Sequence, residues 1–232
     1  MGPVIKGALV EKQLKVVVLG DPSTGKTCLC TRFCNDEFTR QYYPTNGVDF
    51  YLKRIQIQDH IIKLMMWDVS GAAVSSCMMM NFVYNAHIVL FVYDITSQSS
   101  FASINQWYDT VGKVQLRVMP AELALVGNKR VSIWEPLFPD KGDMEHQRSV
   151  PLNRHAKLAS DLGFSSHILS ARTGENVIGC FQKVCANCLG IKLSRNEMEE
   201  RTAVVKAEIV VNNNQNNTIQ ASTTTSSACS IQ

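Results

Sequence analysis

Leu14 to Leu19 (LKVVVL) is a β-branched run closed by Gly20, and it delivers straight into Gly20-Asp21-Pro22-Ser23-Thr24-Gly25-Lys26-Thr27. That octapeptide fits GxxxxGKT, and a helical pattern from Lys26 to Cys34 follows it. Strand, glycine-rich loop and helix in that order constrain the chain more than any other feature. Backbone N–H groups of the loop and of the helix start converge there on phosphate oxygens. Lys26 is placed to reach β and γ phosphates, and the Thr27 hydroxyl to bind Mg²⁺. A chance glycine-rich turn is the competing reading, and the strand before and helix after it set that reading aside.

The remaining pattern alternates strands with helices. Asp49 to Gln58 and Ile61 to Trp67, joined by Asp59-His60, predict an antiparallel hairpin. Ile88 to Tyr93 and Glu122 to Val126 are apolar runs of strand length. Between them Ile104, Trp107, Val111 and Val114 fall at helical spacing within Ser100 to Val118, with Ser99 as the cap. A helix from Arg154 ends at Gly163, Ser166 to Ser170 is the last strand, and a helix over Asn176 to Leu189 ends at Gly190. The expectation is an α/β fold with a mostly parallel six-stranded sheet, helices on both faces, and ligands at the carboxyl ends of the strands. The domain is expected over residues 12–192, after a flexible 1–11. From 193 a charged stretch, an Asn/Gln run (Asn212 to Asn217) and Ser/Thr from Ser222 to Ser227 predict a disordered tail.

Composition narrows the function classes. The 232 residues allow one well-cored domain plus an appendage, and no apolar run approaches the roughly 20 residues needed to cross a bilayer. Met1 to Leu9 lacks a secretory h-region, so a cytosolic chain is expected. Eight cysteines show no disulfide spacing, and the CxxC of Cys185 and Cys188 lies inside an apolar helical pattern, which reads as packing rather than zinc or redox chemistry. With 23 basic and 20 acidic residues of mixed sign along the chain, no nucleic-acid footprint is present. His60, His87, His146, His155 and His167 are scattered and receive no role.

Trp67-Asp68-Val69-Ser70-Gly71 places a carboxylate at the end of the second hairpin strand, where it can hold a magnesium's water shell, and Gly71 can offer a close N–H to a γ-phosphate. With Tyr43-Pro44-Thr45-Asn46-Gly47-Val48-Asp49-Phe50, Val92-Tyr93-Asp94-Ile95-Thr96, Val126-Gly127-Asn128-Lys129 and Ser170-Ala171-Arg172, the motifs resemble a small GTPase of the Ras superfamily, Rab family, across residues 14–190. Gly163-Phe164-Ser165-Ser166-His167 and Leu189-Gly190-Ile191-Lys192-Leu193 make it most similar to the Rab twenty-eight branch.

The resemblance implies GTP or GDP with Mg²⁺ as ligands. Phosphate contacts would come from Gly20, Ser23, Thr24, Gly25, Lys26, Thr27 and Gly71, with Cys28 as a further nucleotide contact. Phe38, Asn128, Lys129, Asp143, Ser170, Ala171 and Arg172 would surround the guanine, and Thr27, Thr45 and Asp68 would hold the metal. Phe50, Trp67 and Phe82 would form the aromatic surface that Rab-type effectors read, beside exchange factors as further partners, with core packing as their alternative role. Vesicle or ciliary trafficking on the cytoplasmic face of membranes, with the cilium base included, is the expected setting.

Two positions depart from that pattern. The residue after DxxG, normally a glutamine that orients the attacking water, is Ala72, and Pro22 removes a loop N–H. Slow hydrolysis is expected, with no catalytic side chain. The guanine motif Asn-Lys-x-Asp reads Asn128-Lys129-Arg130-Val131, yet deleting Val131 to Gly142 would bring Asp143 into register. Either 131–142 is a genuine loop, from which Asp143 reaches back, or it is an unspliced intron, since Val-Ser-Ile can be encoded by a donor-like GT-initial string. The second is preferred on coding grounds.

Cys229-Ser230-Ile231-Gln232 fits CaaX of the farnesyl class, with Cys229 as the lipidation site. Four basic residues (Lys192, Arg195, Arg201, Lys206) and four acidic ones (Glu197, Glu199, Glu200, Glu208) supply no polybasic second signal, so membrane binding through the prenyl group is expected to be reversible. A hydrolysis-dead interaction scaffold is the rival to a switch. An ATP-dependent P-loop kinase ranks third, since no second catalytic base or lid arginine cluster accompanies the loop.

Overall fold

A computed structural model describes residues 10–75, 77–115, 122–129 and 148–193, all within the unit Met1–Thr202, the first of two into which the chain divides. Asp143, the 131–142 segment and Cys229 lie outside the described residues. Strand β1 (Val10–Leu19) is central, because Val16 to Leu19 are fully buried and each can serve a core on one face or the other. Around it lie the hairpin β2 (Val48–Ile57) and β3 (His60–Val69), then β4 (Ile88–Asp94), β5 (Glu122–Asn128) and β6 (Ser165–Ile168). Their order is β2-β3-β1-β4-β5-β6, with β2 antiparallel to β3 and all other pairs parallel. The mostly parallel six-stranded sheet is therefore present.

The period of two along β1 divides the core. Val16 and Val18 point into one cluster with Leu29, Cys30 and Phe33 of α1 (Lys26–Asn35) and Phe181 and Val184 of α6 (Val177–Leu189), where the Phe33 and Phe181 rings stack at 3.8 Å. Val17 and Leu19 point into the opposite cluster with α2 (Met79–Val83), α3 (Gln98–Ala102), α4 (Ile104–Gln115) and α5 (Leu152–Leu162). Cys185 is fully buried in the first cluster and Cys188 packs against it, both as free thiols. That is the packing role expected for the CxxC. No helix among the described residues is long and apolar enough to cross a membrane.

Several boundaries differ from the sequence pattern for identifiable reasons. β1 begins at Val10, four residues before the apolar run, because Val10 to Gln13 pair with His60 to Lys63 although Glu11, Lys12 and Gln13 are polar. Arg54 and Glu11 form an ion pair at 3.2 Å across that end. The single helix expected from Ser100 is two helices, α3 and α4, and its cap is Ser97 rather than Ser99: Ser97 Oγ accepts from Ser100 N at 3.3 Å. Ser100 Oγ bonds the Ser97 carbonyl and Ser103 Oγ the Ser99 carbonyl, the local competition that makes serines poor helix continuers. At the other ends, Gly163 and Gly190 take left-handed φ near +68° and terminate α5 and α6 as expected. A short 3-10 turn (Gly71–Ser75) and α2 carry no clear sequence period and were not anticipated.

One polar triad around a buried histidine predicts a pH dependence. His155 of α5 is 1% exposed, with Nδ1 on the Tyr93 hydroxyl of β4 (2.9 Å) and Nε2 on Ser166 Oγ of β6 (2.8 Å). Burial, then nearby Arg148, lowers its pKa to about 4; burial, then Lys183 and His155, lowers His167 to about 4. Folded values below the unfolded 6.5 mean that protonation favours the unfolded chain. Stability is full above pH 6.5 and falls as pH drops from 6.5 towards 4, at about 1.4 kcal/mol per unit of displacement. Urea midpoints at pH 7.0, 5.5 and 4.5 should decline accordingly, and less steeply for His155→Gln. Equal slopes in the two proteins would show that His155 is not responsible.

Candidate nucleotide site

Register assembles the site before any side chain is considered. Val18 pairs with Asp68, Leu19 with Phe91, and Asp94 with Asn128, so β1, β3, β4 and β5 end on one edge. Because β1 sits between β3 and β4, the loop leaving it opens at the point where strand order reverses, where a doubly wound sheet leaves a crevice. A cavity of about 750 Å³ opens there. Ser23, Gly25, Lys26, Thr27 and Cys28 line it from the loop and α1, Phe38 and Thr45 from the segment before β2, and Gly71 and Ala72 from the 3-10 turn. Asn128, Lys129, Ala171 and Arg172 close the far side. Gly20 and Thr24 form the buried back of the loop, and Ser170 is buried, its Oγ accepting from Thr173 N.

Gly25 and Gly71 are among the glycines required by contact. A Cβ on Gly25, whose φ is +89°, would meet Asn128 Nδ2 at 2.4 Å, and one on Gly71 would meet Pro22 N at 2.2 Å. Lys26 is 6% exposed and donates to the carbonyls of Gly20 (2.8 Å) and Asp21 (2.9 Å). Burial pulls its ammonium below the usual range, while Asp68 and Asp21 oppose that pull. The ammonium is thus held on the loop floor with one donor left over.

Thr27 Oγ1 donates to Asp68 Oδ2 at 2.5 Å and lies 3.0 Å from Thr45 Oγ1, which is itself 3.4 Å from the same carboxylate oxygen. Asp68 is fully buried, and burial raises its pKa. Its other oxygen, Oδ1, is buried with no hydrogen-bond partner among the described residues. Two hydroxyls and a carboxylate, one of whose oxygens is buried without a partner among the described residues, are a hard-oxygen set that fits Mg²⁺.

The opposite end is built by ties within the protein. Asn128 is 1% exposed; its Nδ2 donates to the Thr24 carbonyl (2.9 Å) and its Oδ1 accepts from Ala171 N (3.0 Å). Lys129, at φ +69°, pairs with Asp94 at 2.6 Å. Arg32 of α1 donates to the Ala171 and Arg172 carbonyls at 3.0 and 2.8 Å. Neither Asp94 nor Arg32 was given a role from sequence, although Asp94 stands in one of the quoted motifs and ends its strand opposite Asn128. Asp21 was also missed: its carboxylate accepts from Trp107 Nε1 at 2.8 Å.

Of the three aromatics expected on an effector surface, Phe50 is 63% exposed and meets half-buried Trp67 edge-on at 4.7 Å, whereas Phe82 is 8% exposed inside the core. Tyr42, Tyr43 and Leu52 add exposed apolar area on the same segment.

A strand, phosphate loop and helix set at the reversal point of such a sheet define a P-loop nucleotide-binding protein. The Ras family profile matches residues 15–190. The chain is also 31% identical over 202 residues to the Ras-related protein Rab-28 of Caenorhabditis elegans, spanning 86% of this chain and 77% of that protein. It belongs to the Ras family, as a Rab-like GTP-binding switch protein.

Proposed function

We propose that the chain holds GTP or GDP with Mg²⁺ in this cavity, hydrolyses GTP slowly, and serves vesicle or ciliary membrane traffic. The observation that carries the reading is Asp68 Oδ1, a buried oxygen without a partner among the described residues, on the carboxylate whose Oδ2 accepts from the Thr27 hydroxyl and lies 3.4 Å from that of Thr45. Thr27, Thr45 and Asp68 would hold the metal, which neutralises phosphate charge when bound. Lys26, the loop amides and Cys28 at the start of the helix hold the nucleotide's phosphate side; Phe38, Asn128, Lys129, Ser170, Ala171, Arg172 and Asp143 frame the base. Phe50 and Trp67 present the surface for effectors, and a prenyl group on Cys229 gives reversible membrane attachment. Intact mass of the chain from eukaryotic cells tests that modification.

Slow turnover follows from Ala72, which lines the cavity but carries no group able to orient a water. The expected rate lies below the roughly 10⁻⁴ to 10⁻³ per second of unassisted small GTPases, and Ala72→Gln should raise it. Single-turnover hydrolysis of both proteins checks this, equal rates counting against it. Ala72 and the protein-bound Asn128 favour the second reading, a scaffold that does not cycle. Nucleotide content of the purified chain, with and without chelation of Mg²⁺, separates the two: a nucleotide-free protein that also binds none on addition is the scaffold.

A further inference from the structure

The loop residue best secured in the structure is one that has no evident phosphate contact to make. The Asp21 carbonyl accepts from Lys26 Nζ (2.9 Å) and Thr24 Oγ1 (2.9 Å), and its carboxylate accepts from Trp107 Nε1 (2.8 Å). Trp107 lies on α4, is fully buried, and shares its core cluster with Met79, Phe82 and Val83 of α2, the helix that packs on α4. A buried indole requires an acceptor for its N–H, and here the acceptor is a charged side chain in the phosphate loop.

The next residue, Pro22, contributes no N–H and restricts the backbone of Asp21. The Asp21–Pro22 peptide also meets the 3-10 turn, because a Cβ on Gly71 would lie 2.6 Å from Asp21 C and 2.2 Å from Pro22 N. A carboxylate at this point, if released, would place a negative charge beside bound phosphates. Like charges about 6 Å apart cost on the order of tenfold or more in affinity at the effective dielectric of a protein surface.

We propose that Trp107 is a positioning residue for nucleotide binding: its indole N–H holds the Asp21 carboxylate toward α4, away from the phosphates, and so fixes the loop carbonyl on which the Lys26 ammonium rests. The inference rests on guanine-nucleotide binding in the cavity and deepens it.

Its test is the rate of GDP release from the full chain in Mg²⁺. Trp107→Phe, which breaks the bond and frees the carboxylate, should accelerate release by about tenfold or more, and Asp21→Ala, which breaks the bond but leaves no charge to face the phosphates, by less than that but by more than about threefold. The double variant should release no faster than the faster single one, because both changes remove the same bond. Asp21→Asn is the decisive variant: its amide oxygen still accepts from the indole, so release should stay within about threefold of wild type. Trp107→Phe leaves unfilled space in the core and risks the fold, whereas half-exposed Asp21 allows both of its variants to be made without removing a core side chain, and Asp21→Asn keeps the acceptor for the indole. In the wild type, the indole N–H resonance that Trp107→Phe removes should shift on GDP binding. Wild-type release from Asp21→Ala, or equal release from Asp21→Asn and Asp21→Ala, overturns the positioning role alone. A wild-type chain that binds no guanine nucleotide overturns it together with the function it rests on.

Discussion

Lys26→Ala is expected to lower guanine-nucleotide affinity by about 10²- to 10³-fold. A unit charge about 4 Å from a phosphate, at the effective dielectric of a partly buried site, is worth about 4 kcal/mol, and each 1.4 kcal/mol is tenfold. The Gly20 and Asp21 carbonyls already hold the ammonium in place, so little ordering entropy opposes that gain. Lys26→Met keeps most of the buried stem and separates lost charge from lost packing; both variants should weaken binding alike. Calorimetric titration with GDP and Mg²⁺ is the measurement. An affinity within about threefold of wild type in either variant would remove Lys26 from the phosphate site.

Removal of Val131 to Gly142 should act in the opposite direction, raising GDP affinity by a factor on the order of 10² or more. Asn128 already has a protein partner at each end of its amide, and Lys129 is paired with Asp94, so the described members of the guanine motif serve largely as ties between loops. Discrimination of the base then depends on a carboxylate, and the deletion returns Asp143 to the position two residues after Lys129. Two charge-assisted hydrogen bonds of roughly 1.5 to 3 kcal/mol each give the expected gain, and selectivity over ADP should rise with it. GDP and ADP affinities of both chains decide the matter, and the sequence of the mature transcript tests independently whether those codons persist. Equal GDP affinity would mean that Asp143 reaches the base across the segment.

The fold was legible wherever backbone chemistry is local. The run ending at Leu19, the glycines after α5 and α6, and the alternation of β2 each carry their own signal, and each element formed near its expected place. What escaped depends on pairing across sequence distance. The polar start of β1 is a strand only because β3 lies beside it, and Ser97 rather than Ser99 caps α3 because the Ser97 hydroxyl is the one that accepts from Ser100 N. In the site, Lys26, Thr27 and Asp68 were readable because motif spacing fixes their chemistry. The Trp107 bond to Asp21 joins residues 86 apart, and an apolar period in α4 predicts burial of the indole without indicating where its one donor goes.

The central position of β1 has a thermodynamic consequence. Its two neighbours, β3 and β4, are made of later chain, and the residues that close the phosphate cavity come from as far away as Arg172. No fragment of the domain carries the whole ligand set, so nucleotide binds the assembled sheet and has no comparable site on the unfolded chain. By mass action a ligand at a hundred times its dissociation constant adds about 2.7 kcal/mol to unfolding, a large share of the roughly 5 to 15 kcal/mol typical of a domain. The lifetime of the folded protein is then tied to nucleotide supply, and any change that loosens the phosphate loop also shortens the survival of the chain.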